Sequence, residues 1–337
     1  MQKIKIAFVW SHSLGDFIVA SPILQSIKKR YPNSEIKYIA ADTPHQELFL
    51  SHPSIDTFFE IKRKKNLLLW KSMIQLRRMR FDILFSPFPQ AYKSRMLLRF
   101  IKAKKKFVSK EKIFSNKNII EKGFSTLRQD GIADSIDPAK PIWPFDLRNV
   151  DETVNTILYR HQINSGDRII IIHCGYKQGY LNRSWGSVKW AQVIDHLTRH
   201  ASNKIFFIGA GSDGIIANEV FSRIRKSTAV INLIDQFNIK ELAAFINQAF
   251  LLITHNSGPM WIGAALKKRQ IAICGPSSFQ WDPYNSNAKI VRNIINRKKC
   301  NPPCDAKKCA YADRLCMESI SVSDVIAAID TLMAQPI

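Results

Sequence analysis

The chain has 337 residues, 46% of them hydrophobic, with 50 Lys and Arg against 27 Asp and Glu and a formal net charge of +23. That length exceeds one ordinary hydrophobic core and the apolar content is ample for two, so two domains are expected. No run of about 18 uncharged apolar residues is present and the first strand begins within four residues of Met1, so neither a membrane span nor a signal peptide is expected, and the expected compartment is the cytosol.

Residues 4–10 form the first predicted strand. Ser-His-Ser-Leu-Gly-Asp follows, and then a helix that opens near Phe17, runs through PILQSIKKRY and ends before Pro32. Asp16 stands at the strand's C-terminal edge beside Gly15, where a carboxylate can approach a bound hydroxyl closely; the plainer alternative is a helix cap. Further strands are predicted at 35–40, 57–61, 82–86 and 105–108. Residues 60–120 hold 18 Lys or Arg against three acids. Two stretches there, IKRKKNLLLWKSMIQLRRMR and KSRMLLRFIKAKKKF, mix cations with Leu, Met, Phe and Trp70 at helical spacing, so one face can rest on an anionic membrane while another packs inward. Nucleic acid would satisfy the same charge balance, but no nucleic-acid-binding motif accompanies it, and a solvated surface is the third reading.

Between residues 134 and 166 the pattern loosens: DSIDPAKPIWPFDLRN carries three prolines before the helix VDETVNTILYRH, and the interdomain linker is placed there. The second half repeats the alternation, with strands near 168–173, 204–208, 229–233, 250–254, 270–274 and 289–292. Strand–helix alternation in both halves implies α/β architecture, two doubly wound parallel-sheet domains facing one another. The expected division is 1–160 and 161–322, with a last amphipathic helix over 323–337 opened by a Ser-x-x-Asp start.

Residues 250–276 run from an apolar strand through a small polar turn into a helix and a second strand. Such a unit aims free backbone N–H groups beyond the strand's end, where an anion is the natural occupant. Asn256, Ser257 and Gly258 offer an amide, a hydroxyl and a residue without Cβ, and Pro259 fits the first helical turn. An ordinary βαβ connection is the bland alternative. In FFIGAGSDGIIANEV a strand ends in a glycine-rich turn and Asp213 opens a helix; the Gly-x-Gly is not the dinucleotide fingerprint, and Asp213 also fits a first-turn acid. Of six cysteines, Cys174 and Cys274 sit in apolar strands and read as core. Cys300, Cys304, Cys309 and Cys316 cluster as C-x3-C-x4-C-x6-C, a set able to hold zinc or iron, although no tight C-x2-C pair is present and reduced thiols are the default.

In order along the chain, these motifs resemble glycosyltransferase family 9, the ADP-heptose:lipopolysaccharide heptosyltransferases. The family carries Ser-Leu/Met-Gly-Asp where this chain has Ser13 to Asp16, and Asp-Ser/Thr-Gly-Leu/Pro-x-His, Ala-Ala-Leu and Gly-Pro-Ser/Thr where it has Asn256 to Trp261, Ala264 to Leu266 and Gly275 to Ser277. The resemblance implies a GT-B fold of two Rossmann-like domains, with the last helix crossing back to the first. It makes Asp16 the general base and puts Asn256, Ser257, Gly258 and Met260 on the nucleotide sugar. Arg183, with Ser184 and Trp185, falls on the family's Lys-x-Trp, whose lysine contacts donor phosphate or ribose; Lys177 is a second candidate cation. Asp213 falls on a ribose ligand. Lys62, Arg63, Lys64 and Lys65 occupy the region of the family's basic acceptor loop.

The implied reaction is inverting transfer of heptose from ADP-heptose to an anionic lipopolysaccharide core, at the cytoplasmic face of the inner membrane. No cofactor is expected for catalysis, since no DxD motif stands at a strand end; a zinc or iron at the cysteine cluster would be structural, and nucleic acid is not an expected partner. Asn256 and Trp261 depart from the family's acid and histidine, and Trp10 and His12 from its Lys and Ser. Another sugar, or a non-catalytic basic shell of the same fold, are the alternatives.

Overall fold

The computed structural model describes residues 3–10, 13–41, 46–62, 66–88, 97–112, 117–131, 141–148, 151–176, 183–225, 229–275, 279–283, 285–293, 295, 309–311 and 313–335. Two compact units divide the chain, Met1–Phe145 and Asp146–Ile337.

The first unit runs β1 (Ile4–Val9), α1 (Leu14–Arg30), β2 (Ser34–Ala41), α2 (Gln46–Leu50), β3 (Thr57–Ile61), α3 (Asn66–Arg78), β4 (Arg80–Ser86), β5 (Lys102–Val108) and α4 (Ile119–Leu127). Its sheet has the order β3-β2-β1-β4-β5, every pair parallel. The central β1 ends in four consecutive buried residues, Ile6 to Val9, as a strand covered on both faces must. The edge strand β5 reads KAKKKFV with all four lysines exposed, which leaves its open side poorly suited to pairing with another chain.

Helix α1 starts at Leu14, three residues earlier than the periodicity of PILQSIKKRY suggests, because Ser13 caps it: Ser13 Oγ accepts from Asp16 N at 3.2 Å. Asp16 is therefore a first-turn residue and not the cap. The helix ends at Tyr31, since Pro32 disfavours helical geometry in the residue before it.

The second unit runs α5 (Asp151–Arg160), β6 (Arg168–His173), α6 (Ser187–Leu197), β7 (Asn203–Phe207), α7 (Asp213–Phe221), β8 (Val230–Asn232), α8 (Ile239–Asn247), β9 (Leu251–His255), α9 (Gly258–Ala265), β10 (Gln270–Ile273), β11 (Ala288–Val291), α10 (Leu315–Glu318) and α11 (Val322–Met333). Its parallel sheet has the order β11-β10-β9-β6-β7-β8. Two elements sit differently from the sequence expectation. Helix α5, counted with residues 1–160, belongs to the second unit, where Thr153 Oγ1 donates to Glu241 Oε1 of α8 at 3.0 Å. Helix α11, expected to cross to the first domain, sinks Val325, Ile329 and Leu332 into the second core beside Trp190, Val193 and Ile271. Its start is the expected capping box, with Asp324 N donating to Ser321 Oγ at 3.0 Å and Ser321 N to Asp324 Oδ2 at 3.1 Å.

Strand order places the sites. In the first sheet the chain turns from β1 one way to β2 and β3 and later the other way to β4 and β5. In the second it turns from β6 to β7 and β8, then from β9 to β10 and β11. A doubly wound sheet opens a crevice where the order reverses, beyond the strands' C-terminal ends. Asp16 follows β1, at the first reversal; Ser257 follows β9, at the second.

Candidate active site

At the reversal of the second sheet, His173 ends β6 and pairs in register with Thr254 of β9. The four isoleucines before it, Ile169 to Ile172, are buried, so a polar residue at the strand's end is held in a largely apolar wall. The ring joins three elements. Its Nε2 lies 3.3 Å from Asp213 Oδ2, while its Nδ1 lies 3.3 Å from both Thr254 Oγ1 and Ser257 Oγ; the two hydroxyls are 2.9 Å apart. A carboxylate only accepts, so Nε2 carries the proton toward Asp213 and, in the neutral ring, Nδ1 accepts from one of the hydroxyls.

Asp213 is the first residue of α7, as expected, but its carboxylate turns back into the protein. Oδ2 also accepts from Ala210 N at 3.1 Å. Room for it comes from two glycines: a Cβ at Gly175 would lie 2.1 Å from Asp213 Oδ1, and one at Gly209 would lie 2.9 Å from Asp213 Cβ. Burial pushes this carboxyl up, but the hydrogen bond and charge of His173 and the Ala210 amide outweigh it and hold the group below its ordinary value. Asp213 also lines a cleft of about 370 Å³ with Tyr176, Ser184, Gly186, Ser187 and Ile216.

Helix α9 supplies the anion-facing end. Ser257 is its N-cap in an extended conformation and Pro259 lies in its first turn; the Ser257 side chain is committed to Thr254 and His173 and makes no cap bond, so the first amides of the helix are not closed off by it. Met260 and Trp261 are buried in the core. A donor contact by Met260 is thus limited to its backbone N–H, and Trp261 is a packing residue where the family has histidine. Asn256 donates from Nδ2 to Trp281 O at 3.2 Å. That bond gives the departure from an acid a physical role, because a carboxylate has no proton to give the carbonyl.

Arg183 opens the segment before α6. Trp185, two residues on, is fully buried, edge-on to Trp190, and donates from Nε1 to Ile320 O at 3.0 Å, which fixes this segment to the start of α11. The charge of Arg183 is felt at Cys274, the residue after β10, although burial dominates there and pushes that thiol up to about 12. His255 is buried, its Nδ1 3.0 Å from Gly175 O, and burial lowers it to about 4, so it serves as a neutral strut under the turn that contains Gly175.

In the first unit Asp16 is half-buried, its Oδ2 accepting from Ser13 Oγ at 2.6 Å. Its charge reaches the buried Tyr38, whose phenol is raised well above its ordinary value chiefly by burial and then by Asp16. Lys62 is exposed at the end of β3, its N–H donating to Ser72 Oγ of α3 at 3.3 Å. Arg63, Lys64, Lys65 and Lys177 lie outside the described residues, as do His12, Cys300 and Cys304. Cys309 Sγ accepts from Tyr311 N at 3.5 Å, and Cys316 Sγ accepts from Ile295 N at 3.5 Å. Among the described residues no group of three or more His, Cys, Asp or Glu is placed to hold a metal ion.

Of the residues expected at the donor site, the structure brings Asp213 and Ser257 together through His173, beside Gly258 and Asn256. His173 and Thr254 were missed from sequence; the only signal was a polar residue closing each of two apolar strands, IIIIH and LLITH.

Residues 69–310 match the family model for glycosyltransferase family 9 (heptosyltransferase). The chain is 27% identical over 326 residues to lipooligosaccharide heptosyltransferase 2 of Campylobacter jejuni, covering 95% of this chain and 96% of that one. It is 23% identical over 348 residues to lipopolysaccharide heptosyltransferase 3 of Escherichia coli, covering 95% and 96%. Among solved structures it is similar to the family 9 glycosyl transferase of Veillonella parvula, with a TM-score of 0.76, 21% identity and coverage of 98% and 97%. It is also similar to the ADP-heptose lipopolysaccharide heptosyltransferase II of Escherichia coli, with a TM-score of 0.70, 18% identity and 98% coverage of both chains. The architecture is GT-B, as the sequence led one to expect.

Proposed function

The chain belongs to glycosyltransferase family 9, and from that membership we propose that it transfers heptose from ADP-heptose to the inner core of lipopolysaccharide, with inversion and with Asp16 as general base. The observation that carries this reading is the cluster at the second sheet's reversal, where the open amino end of α9, Ser257, His173 and Asp213 meet beside a cleft. A nucleoside diphosphate presents both of the chemistries such a cluster answers: anionic oxygens for helix amides, and ribose hydroxyls for a carboxylate.

The bond from the sugar's anomeric carbon to the diphosphate breaks as the acceptor oxygen attacks from the opposite face, and the acceptor's proton goes to Asp16. The leaving diphosphate gathers negative charge, which the backbone N–H groups of Gly258 and Met260 and the Arg183 guanidinium would hold. Ser257, with its hydroxyl locked between Thr254 and His173, contributes orientation more than charge. Asp213, which lines the cleft, takes a ribose hydroxyl while His173 and Ala210 hold its Oδ2. A single displacement of this kind inverts the anomeric centre, and fixed protein charges supply the leaving-group stabilisation without a resident metal ion.

The test is thermal stabilisation by ADP, UDP, GDP, CMP and their sugar conjugates, followed by transfer assays with and without a chelator. ADP compounds alone should raise the melting temperature, and chelation should leave transfer unchanged. A preference for UDP or GDP would move the donor to another sugar nucleotide, the outcome that the Asn256 and Trp261 departures make most informative. No stabilisation by any nucleotide would leave a basic shell without chemistry.

A further inference from the structure

Helix α3 carries apolar side chains on both of its faces. The inner face packs on the first sheet: Leu76 is fully buried in a cluster with Ala7, Val9, Ile39 and Ile61, and Leu69 lies against it. At about 100° per residue, Leu67, Trp70 and Ile74 fall on the opposite side. They are 67%, 67% and 50% exposed. Lys71 and Arg78 border that stripe on one flank and Arg77 on the other, all exposed, and the helix NLLLWKSMIQLRR contains no acid.

A solvated surface helix does not require three large apolar side chains in one exposed row. A nucleic-acid face would use the cations and stack the indole, but it gives Leu67 and Ile74 no partner. An anionic bilayer accounts for every part: apolar tips enter the acyl boundary, Trp70 sits at headgroup level, and long cations reach the lipid phosphates from either side. We propose that the outer face of α3 docks this protein on an anionic membrane surface, with Leu67, Trp70 and Ile74 inserted and Lys71, Arg77 and Arg78 on the headgroups.

The position of the helix gives the docking a purpose, and this step rests on the transferase reading above. α3 begins just beyond the C-terminal end of β3, the same sheet edge at which Asp16 follows β1. The two strands are separated only by β2, a span of roughly 10 Å at the usual interstrand spacing. A surface held by α3 would therefore present a lipid-anchored saccharide to the edge that carries the base.

The experiment is flotation of the full chain with vesicles of equal parts phosphatidylglycerol and phosphatidylcholine, against vesicles of phosphatidylcholine alone. Binding is expected only to the former, and the variant Leu67→Ser/Trp70→Ser/Ile74→Ser should weaken it by roughly tenfold or more while its melting temperature stays that of the parent. Vesicles with brominated acyl chains should quench part of the fluorescence of the seven tryptophans, and Trp70→Phe, which leaves the fold undisturbed, should remove that part. Unchanged binding of the triple variant, unchanged quenching in Trp70→Phe, or retention on duplex DNA with no flotation would each overturn the proposal. ADP stabilisation and transfer to a water-soluble core saccharide separate the two readings. Transfer without flotation defeats the docking alone; flotation without nucleotide binding defeats the transferase reading alone.

Discussion

Asp16 owes its place to its neighbours in sequence. Ser13 caps the helix and its hydroxyl donates to Asp16 Oδ2 at 2.6 Å, and the end of β1 sets both at a sheet edge. The hydroxyl holds one oxygen of the carboxylate, which orients the group for a proton arriving at the other. Asp16→Asn preserves an acceptor for Ser13 and removes the proposed base. Transfer should fall by about 10²–10⁴, while ADP raises the melting temperature as in the parent; an unchanged rate would place the base elsewhere. The position of Asp16 just after β1 was legible because its surroundings are local. His173 was not, since every partner that gives it meaning lies on another strand or helix: Thr254, Ser257 and Asp213 are 40 or more residues away. Asn256 is an intermediate case. Its departure from the family pattern was visible, but the reason, a bond to Trp281 O, required the turn around Phe279–Trp281 to be in place.

Strands and helices were readable nearly throughout, because parallel-sheet strands buried on both faces are short continuous apolar runs bounded by turn residues. β6 and β9 show this most plainly, and both end where their polar residues begin. What those ends do depends on the connections after them. Gly175 follows β6 and lies against Asp213 at the start of α7, so the turn and the helix fit only if one of them lacks a Cβ. Gly175→Ala should cost about 1–3 kcal/mol of stability in urea denaturation, the usual penalty for overpacking. It should also weaken ADP stabilisation by displacing Asp213. Gly166→Ala is the control, since nothing lies within 4 Å of a Cβ there, and it should match the parent in both measurements. Loss of nucleotide stabilisation in the control would show that the effect does not act through Asp213.

At the scale of the whole molecule, each unit buries a neutral histidine: His52 in the first, with Nδ1 accepting from Ser54 N at 3.0 Å, and His255 in the second. Burial lowers both to about 4 from an ordinary 6.5. Between those values the unfolded chain binds protons that the folded chain does not, so stability is full above about 6.5, declines as pH falls, and levels off below about 4. Each ring accounts for a loss of order 3 kcal/mol across that interval. The depressed carboxyl of Asp213 adds a further loss beginning below the ordinary carboxylate range and ending at its folded value. Urea unfolding at a series of pH values should show this slope, and His255→Gln should flatten it between 6.5 and 4; an unaltered slope would mean that the ring is not the titrating group. From sequence alone came the alternation of strands and helices, the two-unit organisation, the cap at Ser321, the basic first half and the two motif ends at Asp16 and Ser257. All of these rest on residues within a few positions of one another, where periodicity and capping act. Tertiary structure alone decided the strand order, the ownership of α5 and α11, the inward turn of Asp213 and the exposed side of α3. Those depend on which faces meet, and burial against distant neighbours, which no local pattern records, determines which of a helix's apolar stripes is covered and which polar strand ends come within hydrogen-bond reach.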